Sequence, residues 1–218
     1  MRLVMIEDHE LLAQSLQAAL RAEEIDVVRI WSDDRDHLLL RAQEAAPALL
    51  LLDFDLGPDI GTAFGLIDPL RAAGMDVVML TGVTDKLVLA ECVEEGALGI
   101  IDKSVSFDAL VESIKVVLDG GALMTKHERD ELLSRLRVHR AAHAKQMRVF
   151  EQLTAREGEV LGSLMRGKSA DAIADESVVS VATIRTQIRS ILAKLGVNSQ
   201  LAAVARAQQA GWKPPDPR

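Results

Sequence analysis

The sequence predicts a doubly wound α/β domain on a five-stranded parallel sheet over residues 1–120, a helical linker over 121–150, and an all-helical helix-turn-helix domain over 151–213. Three observations lead there. Ala48-Leu49-Leu50-Leu51-Leu52 is an unbroken apolar run that stops at Asp53, bounded by Pro47 and by Gly57-Pro58. Such a run reads as a strand buried on both faces, the kind found in a parallel sheet covered by helices. Around it, strand-like and helix-like segments alternate five times. Finally, the net charge of −8 is split: residues 1–120 carry 9 Lys+Arg against 23 Asp+Glu, and residues 121–218 carry 16 against 10. An acidic first part and a basic second part point to two domains with different partners.

The first domain is read in order. Arg2–Ile6 is a short strand ending at Glu7-Asp8, and Leu11 to Glu23 follows with helical spacing. Asp26–Ile30 is a second strand, and Asp33 or Asp34 caps a helix to Ala46. The Leu-rich strand comes third. A helix is expected over Ala63–Ala73, stopped by Gly74, then a strand over Asp76–Leu80 that ends at Thr81-Gly82. A helix from Asp85 to Glu95 stops at Gly96. The fifth strand, Leu98–Ile101, leads to Asp102-Lys103, and Ser106 caps a last helix, Phe107–Leu118.

With strand order 2-1-3-4-5, strands one and three flank the switch point where ligands bind in such sheets. Glu7, Asp8, Asp53, Thr81 and Lys103 then share one rim. Three crowded carboxylates repel each other unless a cation offsets them. Oxygen ligands favour a hard ion such as Mg2+. A metal, an ammonium and a hydroxyl around one carboxylate form a cradle for a phosphoryl group. No P-loop motif is present, and the rim shows no His or Ser with a base partner for acyl transfer. The single Cys92 rules out an internal disulfide, and Cys92 reads as a small buried hydrophobe.

Here residues 1–120 resemble the receiver domain of two-component response regulators, a flavodoxin-like fold, through Glu7-Asp8, Asp53, Thr81 and Asp102-Lys103-Ser104. The resemblance implies that Asp53 accepts a phosphoryl group from a phosphohistidine of a sensor histidine kinase. It implies side-chain ligation of Mg2+ by Asp8 and Asp53, Glu7 close by, and the backbone carbonyl of Asp55 as a third ligand. Thr81 and Lys103 would grip the phosphoryl oxygens. The chain departs from the family at Ile100, where an aromatic is usual, at Gly82, and in the Gly57-Pro58 order. Ile100 leads to the expectation of signalling through a different face or with a smaller rearrangement. It also keeps open an alternative, a receiver that is a phosphorylation-independent dimerisation or sensing module.

From Thr125 to Phe150 there is no Gly or Pro, so the linker reads as helix with a broken apolar stripe. His139 and His143 share a face but read as solvated side chains rather than a metal pair. In the second domain, Thr154 and Glu157 form a capping-box signature before a helix to Met165. Ser169 opens a short helix and Ser180 a longer one carrying Ile184, Ile188, Ile191 and Leu195. Ser199 opens a fourth helix that fades before Gly211-Trp212, and the Pro-rich end reads as a tail. The short helix, tight connection and longer helix follow the helix-turn-helix plan. Arg185, Thr186, Arg189 and Lys194 fall largely off the apolar side, and no acid occurs from Ser177 to Arg218 except Asp216. Such a face suits the major groove of double-stranded DNA.

Leu153-Thr154-Ala155-Arg156-Glu157-Gly158-Glu159-Val160-Leu161, Gly167-Lys168-Ser169, Val181-Ala182-Thr183-Ile184-Arg185 and Lys194-Leu195-Gly196-Val197 resemble the LuxR-type DNA-binding domain. Together the two resemblances are those of a NarL/FixJ-type transcriptional regulator. They imply base contacts from Arg185, Thr186 and Arg189, phosphate contacts from Lys168, Ser169, Thr183 and Lys194, and a homodimer contact along Ser199–Ala210. Gln187 and Gln200 stand where the family usually has His and Arg. The implied protein is no enzyme in its own right: a phosphohydrolase acting on other molecules fits poorly with a fused DNA-binding domain. No apolar run is long enough to span a bilayer, and the N-terminus meets acids too early for a secretory signal, so a cytoplasmic location is expected.

Overall fold

The computed structural model describes residues 2–214. It divides into two compact units that part between Arg137 and Val138. In the first, β1 (Leu3–Ile6), α1 (Glu10–Ala22), β2 (Val27–Arg29), α2 (Arg35–Glu44) and β3 (Leu49–Asp53) are followed by a one-turn α3 (Gly57–Ile60) and a short α4 (Ile67–Ala72). Then come β4 (Asp76–Thr81), α5 (Lys86–Glu95), β5 (Gly99–Asp102) and α6 (Phe107–Leu118). All pairings are parallel, in the order β2-β1-β3-β4-β5.

The sheet is buried on both faces because every residue of β1 and β3 is buried. Alternation along the strands splits the core in two. Val4, Ile6, Leu50, Leu52, Val77 and Met79 pack with Leu38, Ile67, Leu70 and Cys92 on one side. Leu3, Met5, Leu49, Leu51, Val78 and Leu80 pack with Leu16, Leu20, Leu110 and Ile114 on the other. The helix starts follow local capping: Asp34, Asp85 and Ser106 accept hydrogen bonds from the backbone amides of His37, Leu87 and Ala109.

One expected element is corrected. The helix expected over Ala63–Ala73 is confined to Ile67–Ala72, and an extra turn forms at Gly57–Ile60. Gly57, Gly61 and Gly65 all have positive φ, which breaks helical continuity. The loop folds on itself instead, with Leu56 N donating to Gly61 O at 2.8 Å and Ala63 N to Phe54 O at 2.8 Å. Arg35 fastens it from α2, donating to the carbonyls of Ile60 at 3.0 Å, Thr62 at 2.8 Å and Phe64.

A single long helix, α7 (Lys126–Met147), follows. The second unit then has a 3-10 turn (Phe150–Gln152), α8 (Ala155–Met165), α9 (Ala170–Ser177), α10 (Val181–Leu195) and α11 (Gln200–Gln209). Thr154 and Glu157 form the reciprocal capping box, and Ser169, Ser180 and Ser199 cap the next three helices. The core joins Val160, Leu161, Ile173, Ile184, Ile188, Ile191 and Leu195. Trp212 belongs to it and stacks on Phe150 with ring centroids 5.5 Å apart. Residues 215–218 of the expected Pro-rich tail lie outside the described residues. Pro214 lies against α8, where a Cβ on Gly162 would come within 2.6 Å of its ring. No helix among the described residues is long and apolar enough to cross a membrane.

The turn between α9 and α10 begins at Val178, a β-branched residue with φ of 53° and 91 % exposed. The left-handed conformation costs a β-branched residue roughly 1–2 kcal/mol, and its exposure returns no packing. Val178→Asn is expected to stabilise the second unit by about 1 kcal/mol. The measurement is the urea midpoint of Trp212 fluorescence in a Trp31→Phe background; an unchanged or lower midpoint counts against strain at this turn.

Candidate functional site

β1, β3, β4 and β5 all end on the same edge of the sheet, and the residues at those ends meet there. Lys103 Nζ donates to Asp53 Oδ2 at 2.6 Å and to Glu7 Oε1 at 2.9 Å. It also forms an ion pair with the buried Glu7 Oε2 at 2.7 Å, without hydrogen-bond geometry. Glu7 is completely buried, and Asp53 and Thr81 are 3 % and 2 % exposed. Asp8 is the open side of the cluster, its side chain 25 % exposed. Burial pushes the Asp53 carboxyl up to about 7, against the opposing hydrogen bond from Lys103.

Thr81 closes β4 beside Asp53, but its hydroxyl oxygen accepts from the amide of Val83 at 3.0 Å rather than pairing with the carboxylate. The Thr81 carbonyl accepts from Lys103 N at 3.0 Å, which fixes the start of the Lys103 side chain. Asp55 opens the loop: its amide donates to Asp53 Oδ1 at 3.4 Å, its carboxylate accepts from Gly57 N at 3.2 Å, and it bridges to Thr62.

Sequence reasoning missed His9. Its Nδ1 is 2.6 Å from Asp8 Oδ1 and 3.0 Å from Glu7 Oε1, and the charge of Asp8 first, then the Glu7 hydrogen bond, raises its pKa. The signal was its place directly after the acidic pair. Donor atoms of Glu7, Asp8, His9 and Asp53 all lie within 4.8 Å of one another. Three carboxylates against one lysine leave an excess of negative charge, and most of the donors are oxygens. That donor set suits a hard divalent cation. His139 and His143 join no such cluster among the described residues; His143 Nε2 is 3.1 Å from the carbonyl oxygen of Ala210.

The second unit presents a different surface. On α10, Thr183, Arg185, Thr186 and Arg189 are all exposed. Among the described residues neither arginine has a salt-bridge partner. The Thr186 hydroxyl donates to Ala182 O at 2.9 Å, and Thr183 Oγ1 is 2.9 Å from Ser180 Oγ. Gln187 is half-buried, with Oε1 buried and unpartnered. Two of the expected phosphate ligands have partners within the unit. Lys168 Nζ lies 2.6 Å from both carboxylate oxygens of Glu176, near the surface. Lys194 donates at 2.5 Å to the buried Glu157, which also accepts from Ser190 at 2.6 Å, while its side chain stays 30 % exposed. The pair ties α10 to α8. Ser169 caps α9 through Ala172 N at 3.2 Å.

Comparison with known proteins places both units. A family model described as "Response regulator receiver domain" matches residues 3–115, and one described as "Bacterial regulatory proteins, luxR family" matches residues 151–207. The chain belongs to the LuxR-type response regulators. The regulator is 28 % identical over 209 residues to the transcriptional regulatory protein LiaR of Bacillus subtilis, covering 95 % of this chain and 97 % of that one. It is 26 % identical over 206 residues to a nitrate/nitrite response regulator protein homolog of Haemophilus influenzae, covering 93 % and 94 %. Its fold matches RcsB from Salmonella enterica serovar Typhimurium, bound to the promoter P1flhDC in the presence of phosphomimetic BeF3−. That match has a TM-score of 0.50 and 21 % identity, over 94 % of this chain and 97 % of that one.

Within this response regulator Glu157 is the hub that orients α10. Burial opposes its ionisation, but hydrogen bonds from Lys194, Ser190 and Thr154 outweigh that and hold its carboxyl at about 2. The folded value is below the unfolded one of about 4.3, so the stabilisation is complete above that pH and is lost as pH falls toward about 2. Glu157→Gln is expected to destabilise the second unit by about 1.5–3 kcal/mol at neutral pH. Its midpoint should also fall less steeply than the wild type's between pH 4.5 and 3, read from Trp212 in the Trp31→Phe chain. Equal midpoints at pH 7 would show that the cluster contributes nothing net.

Proposed function

We propose that the protein is a transcriptional regulator whose DNA binding is controlled by phosphorylation of Asp53, with residues 1–120 as receiver, 121–150 as linker and 151–213 as the DNA-binding domain. The observation that carries this reading is the convergence of Lys103 on Asp53 and Glu7 at the ends of three strands, with Thr81 beside them. Asp53 is the nucleophile. One carboxylate oxygen forms the new bond to phosphorus while the bond from phosphorus to a kinase histidine nitrogen breaks, the electron pair leaving with the imidazole. Lys103 already contacts Asp53 Oδ2 and neutralises charge as it moves onto the phosphoryl oxygens. Thr81 supplies a hydroxyl donor after turning from Val83. Asp8, Asp53 and the Asp55 carbonyl would hold Mg2+, with Glu7 nearby, and the bound ion would supply positive charge that favours the ionised form of Asp53 and offsets phosphoryl charge.

The regulator's output is on α10. Arg185 and Arg189 are exposed cations of the helix without a salt-bridge partner among the described residues, and they enter the major groove of double-stranded DNA with Thr186 beside them. Thr183, Ser169 and Lys168 lie toward the start of the motif and serve the phosphate backbone, Lys168 exchanging Glu176 for phosphate. Lys194 positions α10 through Glu157. The exposed Leu201 on α11, 80 % accessible, marks the contact for a second copy of the chain.

Incubation of the full chain with acetyl phosphate and Mg2+ is expected to give an acid-stable, base-labile phosphoprotein. Asp53→Asn and omission of Mg2+ should each abolish it. Equal labelling of wild type and Asp53→Asn overturns the assignment of the acceptor, and absence of labelling in the wild type favours the dimerisation-module reading. In DNA binding, Arg185→Ala should cost about 1–3 kcal/mol at the cognate site and relax sequence preference. Lys168→Ala should weaken all sequences alike and lower the salt slope by about 1. Identical behaviour of the two variants in a salt titration would refute the division of roles.

A further inference from the structure

We propose that the first three turns of α7 are a latch on the receiver unit, opened when charge on Asp53 draws the Thr81 hydroxyl away from Val83. The proposal rests on the reading of Asp53 as phosphoacceptor and adds the element that responds to it. Three features fix the latch. A capping box starts the helix: Thr125 N and Oγ1 donate to Glu128 Oε2 at 2.7 and 2.8 Å, and Glu128 N donates back to Thr125 Oγ1 at 3.2 Å. Ahead of it, Leu123 occupies the notch left by Gly99 of β5. A Cβ on Gly99 would come within 2.7 Å of the Leu123 Cβ, so only glycine leaves room for it. One turn into the helix, Arg129 donates to the carbonyls of Ala97 and Val93, both at 3.0 Å. Those carbonyls lie at and just beyond the C-terminal end of α5, where the helix dipole favours a cation.

Between these anchors and the sheet lies a cavity of about 300 Å3. Thr81, Val83 and Ile100 line it from the sheet side, and Leu132 and Arg135 line it from α7. The helix therefore lies over a solvent-open cleft that reaches the rim at Thr81. The Thr81 hydroxyl is engaged by the Val83 amide at 3.0 Å, and both residues line the cavity. Rotation of Thr81 toward a phosphoryl group removes the oxygen that holds Val83 N. The segment after β4 then has an unpaired amide and open volume beside it, so it repacks into the cavity. Close-packed interiors answer such a change by switching between discrete arrangements, and the roof over a collapsing cavity is the part with least to hold it. The helix that loosens is continuous as far as Met147, which packs against the core of the DNA-binding unit.

The test is amide hydrogen exchange on the full-length chain with Mg2+, with and without beryllofluoride. Binding at Asp53 is read from peptides carrying Asp8 and Asp53, with Asp53→Asn as control. The latch predicts that those peptides gain protection while peptides over 126–135 exchange at least tenfold faster, and that Asp53→Asn shows neither change. Protection at Asp53 with unchanged exchange over 126–135 overturns the latch and leaves the acceptor reading intact. No response at either place removes the acceptor reading and the latch with it. Gly99→Ala, which drives Leu123 from its notch, and Arg129→Gln, which opens the clamp without touching the sheet, should each accelerate exchange over 126–135 at least tenfold without beryllofluoride. Wild-type exchange in Arg129→Gln overturns the proposed anchoring even if Gly99→Ala does not fold.

Discussion

Everything at the receiver rim depends on one lysine reaching across one strand. In the order β2-β1-β3-β4-β5, Lys103 follows β5 and Asp53 ends β3, with β4 between them. Strands are about 4.8 Å apart, so the Lys103 and Asp53 side chains together must span roughly 10 Å laterally. A four-carbon stem does this only if the residue it passes is small and the backbone at its root is fixed. Thr81 meets the first condition, and the bond from Lys103 N to Thr81 O meets the second. The ammonium is a compact charge with three donors, which lets it serve Asp53 and Glu7 together; the planar fork of arginine would not divide itself in that way. Removing it would leave two buried carboxylates with one cation fewer, and such unpaired charge costs several kcal/mol. The geometry that makes the rim reactive is thus also what makes it tolerable in the folded state.

The second unit solves the same problem for a different end. Glu157 is a buried carboxylate paired with a lysine from far along the chain, and Ser190 completes its hydrogen bonding. Here the charge does no chemistry. It fixes the rotation of α10 about its axis, and this decides which residues are offered outward. With Lys194 tied to Glu157, Arg185 and Arg189 are the exposed cations of that helix that have no salt-bridge partner among the described residues. A buried pair placed to fix register rather than to add stability is the best-attested use of such interactions.

Most of this was legible in the chain, and the exceptions have physical causes. The strands and the rim could be read because apolar runs announce buried strands and because a parallel sheet delivers all strand ends to one edge. Thr154 with Glu157 and the serines at 169, 180 and 199 could be read because caps are local. The loop after Asp53 could not. Its shape comes from three glycines with positive φ and from Arg35 reaching over from α2, and neither leaves a periodic trace. The bond from Lys194 to Glu157 could not be read because helical periodicity tells which side a residue faces but not what partner waits there. Trp212 lay beyond the last helix by every local signal, yet an indole with Phe150 to stack on is too large an apolar surface to leave in water. His9 was passed over because adjacency to two acids says nothing about side-chain direction.

The linker shows the same limit with more consequence. Composition gave a helix and a broken stripe, which argued only that burial could not hold it strongly. What holds its first turns is two directional features, the seat of Leu123 over Gly99 and the Arg129 clamp on two carbonyls. Half-burial of Leu123 contributes less than the about 1.5–3 kcal/mol of a fully buried leucine, and hydrogen bonds from a charged group about 1.5–3 kcal/mol each before the entropy of ordering the side chain is subtracted. The net is a few kcal/mol, and a shift of about 5.5 kcal/mol is what carries a two-state element from 1:99 to 99:1. A broad apolar stripe would have put the docking beyond the reach of one phosphoryl group. Beyond those two anchors the helix fully buries one further side chain, Leu136, so the stripe stays narrow enough for the docking to lie within that reach.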